Sequence, residues 1–238
     1  MSQDKALDYI DSGNQNLSKG NYDQAIEDFT KAIGLNPNYS AAYNNRGLAY
    51  EKKRNHSMAI ADYDQAAGLN PNEATIYKNR GVTYLSKGNH DKAIEDFTRA
   101  IGLNPNDAEM YYFRAVAYNG KGLMRDDTSA VDLAIKDFSQ VLKMNPDFAA
   151  VYTARGVAYS GIGERDRALE DFDRAIKLDP NDWNAYSARG GVYILRGEYE
   201  RGIKDCETSL RINPDHPGGA REQIEHARML QKAGIKHL

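Results

Sequence analysis

Cysteine and histidine are the side chains of this sequence that could carry nucleophilic or metal chemistry, and they are few and scattered. Cysteine occurs once, at Cys206, without a histidine at a spacing that would activate it, and its surroundings predict a small buried side chain. The five histidines are His56, His90, His216, His226 and His237. None belongs to an acid or cysteine cluster with metal-ligand spacing, and phosphate-binding glycine motifs and the Gly-x-Ser-x-Gly motif are missing. The sequence therefore predicts no catalytic residue, no metal site and no cofactor.

Two series of charged residues recur in step, and their chemistry is that of an ion pair. The arginines are Arg46, Arg80, Arg114, Arg155 and Arg189. The aspartates are Asp28, Asp62, Asp96, Asp137, Asp171 and Asp205. The arginines stand on a face that we expect to be buried, where a charge needs a partner of opposite sign.

The first aspartate has no arginine before it, because Ser12 stands at that place. This asymmetry predicts that each aspartate pairs with the arginine of the following unit. The predicted pairs are Asp28 with Arg46, Asp62 with Arg80, Asp96 with Arg114, Asp137 with Arg155, and Asp171 with Arg189. In the alternative, both series are solvated surface charges. In either case their role is structural.

A period of 34 residues underlies these spacings. Its clearest marks are the prolines Pro37, Pro71, Pro105, Pro146, Pro180 and Pro214, spaced by 34 except for one step of 41. A fixed period of this size is typical of stacked helical repeats. We therefore divide the chain into a tail at 1–5, six units at 6–39, 40–73, 74–107, 108–148, 149–182 and 183–216, and a capping helix with its tail at 217–238.

Each unit has the pattern of two helices separated by a glycine turn. In the third unit Tyr77, Gly81 and Tyr84 share one helical face, with the small residue where another helix comes close. Gly88 then ends the first helix, and Asp91 is expected to cap the second. An alanine and an aromatic residue follow on the apolar face, and an Asn-Pro or Asp-Pro pair closes the unit.

A small residue at position 8, an aromatic at 11, alanine at 20, an aromatic at 24 and proline at 32 resemble the tetratricopeptide repeat family. The resemblance covers Ala6 to His216. Tyrosine replaces the usual tryptophan at position 4, arginine replaces leucine at 7, and the sixth unit departs from the pattern at Gly202, Cys206 and Ser209. The resemblance implies an all-α fold, a right-handed superhelical α-solenoid of helix-turn-helix repeats. After Pro217, an amphipathic stripe predicts the capping helix.

The fourth unit is seven residues longer than the others, with the surplus within 120–132. Gly120 and Gly122 predict that its first helix stops there, followed by a short protruding loop and a second helix that starts early, near Asp127 or Thr128. A sharper hypothesis makes this loop a partner contact through Leu123 and Met124.

In this family the first helices of successive units line a concave groove, and the resemblance implies that binding residues lie there. The candidates in this sequence are Asn14, Asn44, Asn45, Lys78, Asn79, Tyr112, Phe113, Val116, Ile194 and Leu195. The asparagines suit hydrogen bonding to an extended peptide backbone, and Tyr112 with Phe113 forms a candidate hot spot. In the alternative, Phe113 packs against its neighbour.

Family members that hold a chaperone's C-terminal carboxylate do so with lysine at 5 and asparagine at 9 of one unit, asparagine at 6 of the next, and lysine at 2 and arginine at 6 of the third. The corresponding residues here are Ile10, Asn14, Asn45, Thr75 and Asn79. The asparagine at 9 and the asparagine at 6 of the second unit match, but all three cations are missing. A chaperone tail is therefore a disfavoured partner.

Composition restricts the partners further. The chain has 238 residues and a net charge of −3 with acids and bases interleaved, so we expect no nucleic-acid binding. No stretch approaches the ~20 apolar residues of a membrane span. A single cysteine and an N-terminus without signal-peptide character favour a cytoplasmic location.

We expect a non-catalytic scaffold or adaptor that binds a peptide or helix of another protein in its groove. The alternative is a structural protein that forms homo-oligomers through its repeat ends or its tail helix.

Overall fold

The computed structural model describes residues 2–125, 127–215 and 219–235. The chain divides into two compact units, Met1–Ala117 and Tyr118–Leu238, and the division falls within helix α7. The described residues contain helices and turns and no strand, which confirms the all-α prediction.

Pairs of helices follow one another along the whole chain. Those that begin in the first unit are α1 Ser2–Ser18, α2 Tyr22–Leu35, α3 Ser40–Lys52, α4 His56–Leu69, α5 Ala74–Ser86, α6 His90–Leu103 and α7 Ala108–Arg125. Those of the second unit are α8 Thr128–Met144, α9 Ala149–Gly161, α10 Arg165–Leu178, α11 Trp183–Leu195, α12 Tyr199–Ile212 and α13 Ala220–Lys232. Because α1 begins at Ser2, the predicted tail at 1–5 belongs to the first helix from that residue onward.

The turn between the two helices of a pair needs a residue in the left-handed region. Between α5 and α6 Gly88 supplies it with φ 72°, and between α3 and α4 Arg54 takes the same conformation with φ 60°. In the third repeat the second helix, α6, is capped by a residue that precedes the predicted cap Asp91. The side chain of Asn89 accepts a hydrogen bond from the backbone N–H of Lys92, so Asp91 lies in the first turn, where a negative charge favours the helix dipole.

A close approach of glycine to an aromatic ring holds the two helices of a pair together. A Cβ atom on Gly81 would lie 2.8 Å from the ring of Phe97, closer than side chains normally approach, so glycine lets the two helices come together without displacing the ring. The same relation joins Gly13 to Phe29, Gly47 to Tyr63, Gly156 to Phe172 and, with sulfur in place of the ring, Gly190 to Cys206. These contacts confirm that the small residue marks the helix contact.

The aromatic rings of several second helices also pack against the first helix of the next pair. Phe29 of α2 clusters with Ala25 and with Ala49 of α3. In the second unit Phe172 of α10 clusters with Ala168 and with Val192 of α11. Several core clusters therefore join the second helix of one pair to the first helix of the next.

The predicted stop at Gly120 and Gly122 is wrong, because α7 continues through both glycines to Arg125. A Cβ atom on Gly122 would lie 2.5 Å from a methyl carbon of Val131, so this glycine permits a close helix contact. The second helix begins at Thr128, one of the two predicted starts, and the side chain of Asp127 caps it. The seven extra residues therefore lengthen both helices, and no protruding loop forms in the described part of this segment.

The capping helix is present as α13. Its buried residues Ala220, Ile224 and Ala227 form one cluster with Ile194 of α11 and with Tyr199 and Cys206 of α12. The apolar stripe predicted after Pro217 is thus the face that covers the last repeat.

Candidate functional site

The recurring arginines form ion pairs within a repeat. Nε of Arg80 donates to Oδ2 of Asp96 at 2.9 Å, and Nη2 donates to Oδ1 at 2.7 Å. Asp96 is only 7% exposed at its side chain, so these charges are not solvated surface groups. The same two-bond geometry joins Arg46 to Asp62, Arg155 to Asp171 and Arg189 to Asp205.

The predicted pairing with the following unit is therefore wrong. Arg46, Arg80, Arg155 and Arg189 bind the aspartate 16 residues after them, and Asp28 accepts hydrogen bonds from Ser12 at 2.8 Å and Asn16 at 2.9 Å. The reason lies in the helix contact. Arg80 directly precedes Gly81 and Asp96 directly precedes Phe97, so the contact between Gly81 and Phe97 brings the two charges together.

A link to the preceding repeat exists, but a different residue makes it. Nη1 of each arginine binds the second helix of the repeat before it: Thr30 for Arg46, Asp64 for Arg80, Thr98 for Arg114, Ser139 for Arg155 and Asp173 for Arg189. The hydrogen bonds that Arg46 donates to Asp62 and Arg80 donates to Asp96 raise the pKa of both guanidinium groups above its usual range. These residues are structural, because their hydrogen-bonding groups serve the contact between helices.

Four of the predicted groove residues form a chain of hydrogen-bonded amides in the compact unit Met1–Ala117. We call this chain the amide ladder, and it consists of Asn14, Asn44, Asn45 and Asn79. Nδ2 of Asn45 donates to Oδ1 of Asn14 at 2.8 Å, and Nδ2 of Asn44 donates to Oδ1 of Asn45 at 3.0 Å. Nδ2 of Asn79 donates to Oδ1 of Asn44 at 3.0 Å. The ladder runs across α1, α3 and α5, and its direction is the same at every step.

Lys78 continues this face toward α7. Its Nζ lies 2.7 Å from a carboxylate oxygen of Glu109, so its charge is neutralised by a neighbour on the next first helix. This pair leaves Lys78 poorly suited to hold a carboxylate of a ligand.

The aromatic residues Tyr112 and Phe113 differ in their surroundings. The ring of Phe113 stacks on Phe97 with centroids 5.8 Å apart and joins a core cluster with Ala93 and Ala117. The ring of Tyr112 meets Phe113 edge-on at 5.6 Å and is half-buried. Phe113 thus takes the packing role that was the alternative prediction, while Tyr112 and the half-buried Val116 stay candidates for ligand contact.

The two candidate groove residues of the unit Tyr118–Leu238, Ile194 and Leu195, differ in exposure. Ile194 is only 4% exposed, because α13 covers it, so it is not open to a ligand as predicted. Leu195 is 53% exposed. It borders a cavity of about 580 Å³ between α11 and α13, which is lined by Gly191, Ile194, Leu195, Gly219, Glu222, Gln223 and His226.

Sequence reasoning overlooked two aliphatic residues beside the amide ladder. Leu48 lies four residues after Asn44, and Val82 lies three residues after Asn79, so each shares the helix face of a ladder residue. Both are half-buried. The signal was available, since both occupy the ninth position of their units, as Val116 does in the fourth.

Possible metal ligands and the thiol of Cys206 are the remaining groups that could carry chemistry. The described residues contain no group of three or more histidine, cysteine, aspartate or glutamate side chains that could hold a metal ion. Burial raises the pKa of Cys206 to about 12, which leaves its thiol protonated and unreactive at neutral pH. Within the described ranges, every helix is too short or too polar to cross a bilayer.

Comparison with protein families finds the tetratricopeptide repeat in most of the chain. Family models described as tetratricopeptide or TPR repeats match residues 40–73, 74–107 and 149–182, residues 13–53, and residues 184–216.

Solved structures with the same fold include the MamA protein, which is 27% identical over 74% of this chain and 92% of its own, with a TM-score of 0.67. YrrB, described as a TPR protein with an unusual peptide-binding site, is 23% identical over 85% of this chain and 98% of its own, with a TM-score of 0.67. PilF of Pseudomonas aeruginosa is 16% identical over 96% of this chain and 99% of its own, with a TM-score of 0.74. The last two likenesses show the fold alone. The family matches support a protein-interaction scaffold.

Proposed function

Because the chain belongs to the tetratricopeptide repeat family, we propose that it is a non-catalytic adaptor. Its compact unit Met1–Ala117 binds an extended peptide of a partner protein along the amide ladder. The observation that carries the proposal is the ladder itself. An asparagine amide has two N–H donors and two acceptor lone pairs. Asn44 and Asn45 each use one N–H donor and one acceptor lone pair within the ladder. Each therefore keeps one N–H donor and one lone pair for hydrogen bonds with a peptide backbone.

The ladder also fixes the orientation of these amides before a ligand arrives. Side chains that are already held by hydrogen bonds lose little conformational freedom on binding, so more of the interaction energy is realised as affinity. At the α7 end of this face, Tyr112 offers an aromatic ring of the kind that commonly anchors peptides. Peptide binding is also what the description of YrrB names for that protein.

A random dodecapeptide library displayed on phage tests the proposal, because it needs no knowledge of the natural partner. We expect immobilised wild-type protein to enrich peptides that an Asn45→Ala/Asn79→Ala variant binds at least tenfold more weakly. The matched control is Asn38→Ala/Asn72→Ala, which removes two exposed asparagines, also one repeat apart, from the turns between repeats.

Retention of the enriched peptides by the control and their loss from the ladder variant would support the proposal. Equal binding to both variants, with equal melting temperatures, would refute it. The molar mass of the ligand-free protein, measured over a range of concentrations, separates this adaptor from the self-assembling alternative, which alone predicts a mass that grows with concentration.

A further inference from the structure

A row of aliphatic side chains runs beside the amide ladder. It consists of Leu48 on α3, Val82 on α5 and Val116 on α7, all half-buried, and we call it the aliphatic row. Leu48 lies one helical turn from Asn44, Val82 one turn from Asn79, and Val116 one turn from Tyr112. A ligand that lies along this face from α3 to α7 therefore meets one aliphatic side chain on each of the three first helices.

The spacing of the row is the spacing of the first helices. Asn79 and Asn44 are in direct contact across α5 and α3, and Lys78 and Glu109 are in direct contact across α5 and α7. Helices in such contact lie about 8–10 Å apart. A ligand that uses the whole row must present an apolar side chain at roughly this interval.

Regular peptide conformations differ in the interval at which they present one face. A β-strand presents the same face every two residues, or about 6.6 Å. An α-helix does so once per turn of about 5.4 Å, and its backbone groups are already hydrogen-bonded. A polyproline II helix has three residues per turn and rises about 3.1 Å per residue, so its face recurs at about 9 Å, and its backbone groups are open. The polyproline II form alone matches both the spacing of the aliphatic row and the hydrogen-bonding groups of the amide ladder.

Charge on this face restricts the ligand further. Lys78 is paired with Glu109 at 2.7 Å, and Lys52, at the end of α3, is paired with Glu51 at 3.5 Å. Neither lysine is available to a ligand carboxylate without breaking an existing pair. The two glutamates are engaged in the same pairs, so an uncharged segment fits better than an acidic or a basic one.

From these observations we infer that the ligand of the first unit is an uncharged segment in the polyproline II conformation with an apolar side chain at every third residue. This inference rests on the proposed function and names the class of peptide. The apolar side chains contact Leu48, Val82 and Val116 in turn. The backbone between them exchanges hydrogen bonds with the amide ladder.

Two synthetic dodecapeptides of identical composition test the inference by fluorescence anisotropy. The first is four copies of Val-Pro-Ser. The second is Val-Ser-Val-Ser-Val-Ser-Val-Pro-Pro-Ser-Pro-Pro, in which the valines alternate as on a strand. We expect the first to bind at least tenfold more tightly, and Val82→Asp to abolish the difference. The control Leu69→Asp changes an exposed leucine at the end of α4 and should leave it intact.

Val82 packs against the Phe97 cluster, so Val82→Thr, which has the same shape, replaces Val82→Asp if the aspartate variant melts early. Equal affinity for the two peptides, or binding of neither, would overturn the inference. Library peptides that need Asn45 and Asn79 but carry alternating or helical apolar patterns would overturn it while the proposed function stands. Library peptides that ignore both asparagines would overturn the two together.

Discussion

Arg80 and Asp96 form a two-bond ion pair inside one repeat, while Nη1 of the same arginine binds Asp64 of the repeat before. One guanidinium thus holds three helices: α5, α6 and α4. The two carboxylates differ in exposure, since the side chain of Asp96 is 7% exposed and that of Asp64 is 52% exposed. This difference separates their contributions to stability.

Asp96→Ala should lower the free energy of unfolding by about 3 kcal/mol, because it leaves the largely buried guanidinium of Arg80 without its main partner. Asp64→Ala should cost less than about 1 kcal/mol, because that pair is exposed to water. Urea unfolding of both variants measures the difference. Equal shifts of the two midpoints would show that the inner pair contributes no more than the outer one.

Two glycines of one repeat should respond in opposite ways to the same substitution. Gly81→Ala should destabilise the fold, because the new Cβ would lie 2.8 Å from the ring of Phe97. Gly102→Ala, inside α6 with open space around it, should raise the free energy of unfolding by up to about 1 kcal/mol through helix propensity. Thermal melting of the two variants checks both signs, and a loss of stability in Gly102→Ala would contradict the second.

Cys206 should react slowly with a disulfide reagent in the native protein. Burial raises the pKa of its thiol from 9.0 to about 12, and the reactive species is the thiolate. At pH 7.5 we expect labelling at least about 100-fold slower than in urea. The control is a Cys206→Ala/Ser86→Cys variant, whose only thiol is on the exposed side of α5. Labelling of Cys206 in the native protein as fast as labelling of the thiol at position 86 would contradict the expectation.

The same raised pKa predicts a dependence of stability on pH. The folded state favours the protonated thiol, so this contribution to the free energy of unfolding is fully present below pH 9 and is lost as pH rises from 9 toward 12. The difference between wild type and Cys206→Ala in urea midpoint should shrink over that range. A constant difference would show that the thiol does not titrate with a shifted pKa.

The capping helix should contribute to stability through its buried face alone. Ile224→Ala removes a side chain that is 7% exposed and packs with Ile194, and should cost about 2–4 kcal/mol. Met229→Ala, at a residue of the same helix that is 68% exposed, should change the free energy by less than about 0.5 kcal/mol. Faster labelling of Cys206 in the Ile224 variant alone would locate the loss at this end of the chain.

The period of 34 residues was sufficient to predict the helix pairs and the glycine contacts, and an amphipathic stripe beyond the last repeat predicted the capping helix. Each of these depends on residues close in sequence, such as Gly81 on α5 and Phe97 on α6, whose relation is repeated along the chain. Several copies of one pattern leave little ambiguity about which residues face inward. The insertion was predicted less well. Gly122 permits a close helix contact, but a glycine also commonly marks the end of a helix, and the sequence does not distinguish the two roles.

The candidate binding face could be predicted in part. The repeat pattern placed Asn44, Asn45 and Asn79 on the first helices, but the hydrogen bonds that join them depend on the distance between α3 and α5. Burial of Ile194 depends on where α13 packs, which its own amphipathic pattern does not specify. The stacking of Phe113 on Phe97 likewise depends on the packing of α7 against α6.

Sequence alone determined where each residue stands within its repeat, because local helix signals and a constant period specify that position. It did not determine which repeat supplies a residue's partner. Asp96 lies 16 residues after Arg80 and 18 residues before Arg114, and the periodic pattern is the same for both arginines. Only the tertiary structure decided between them, because the contact of Gly81 with Phe97 brings α5 and α6 close enough to place Arg80 and Asp96 at 2.7 Å.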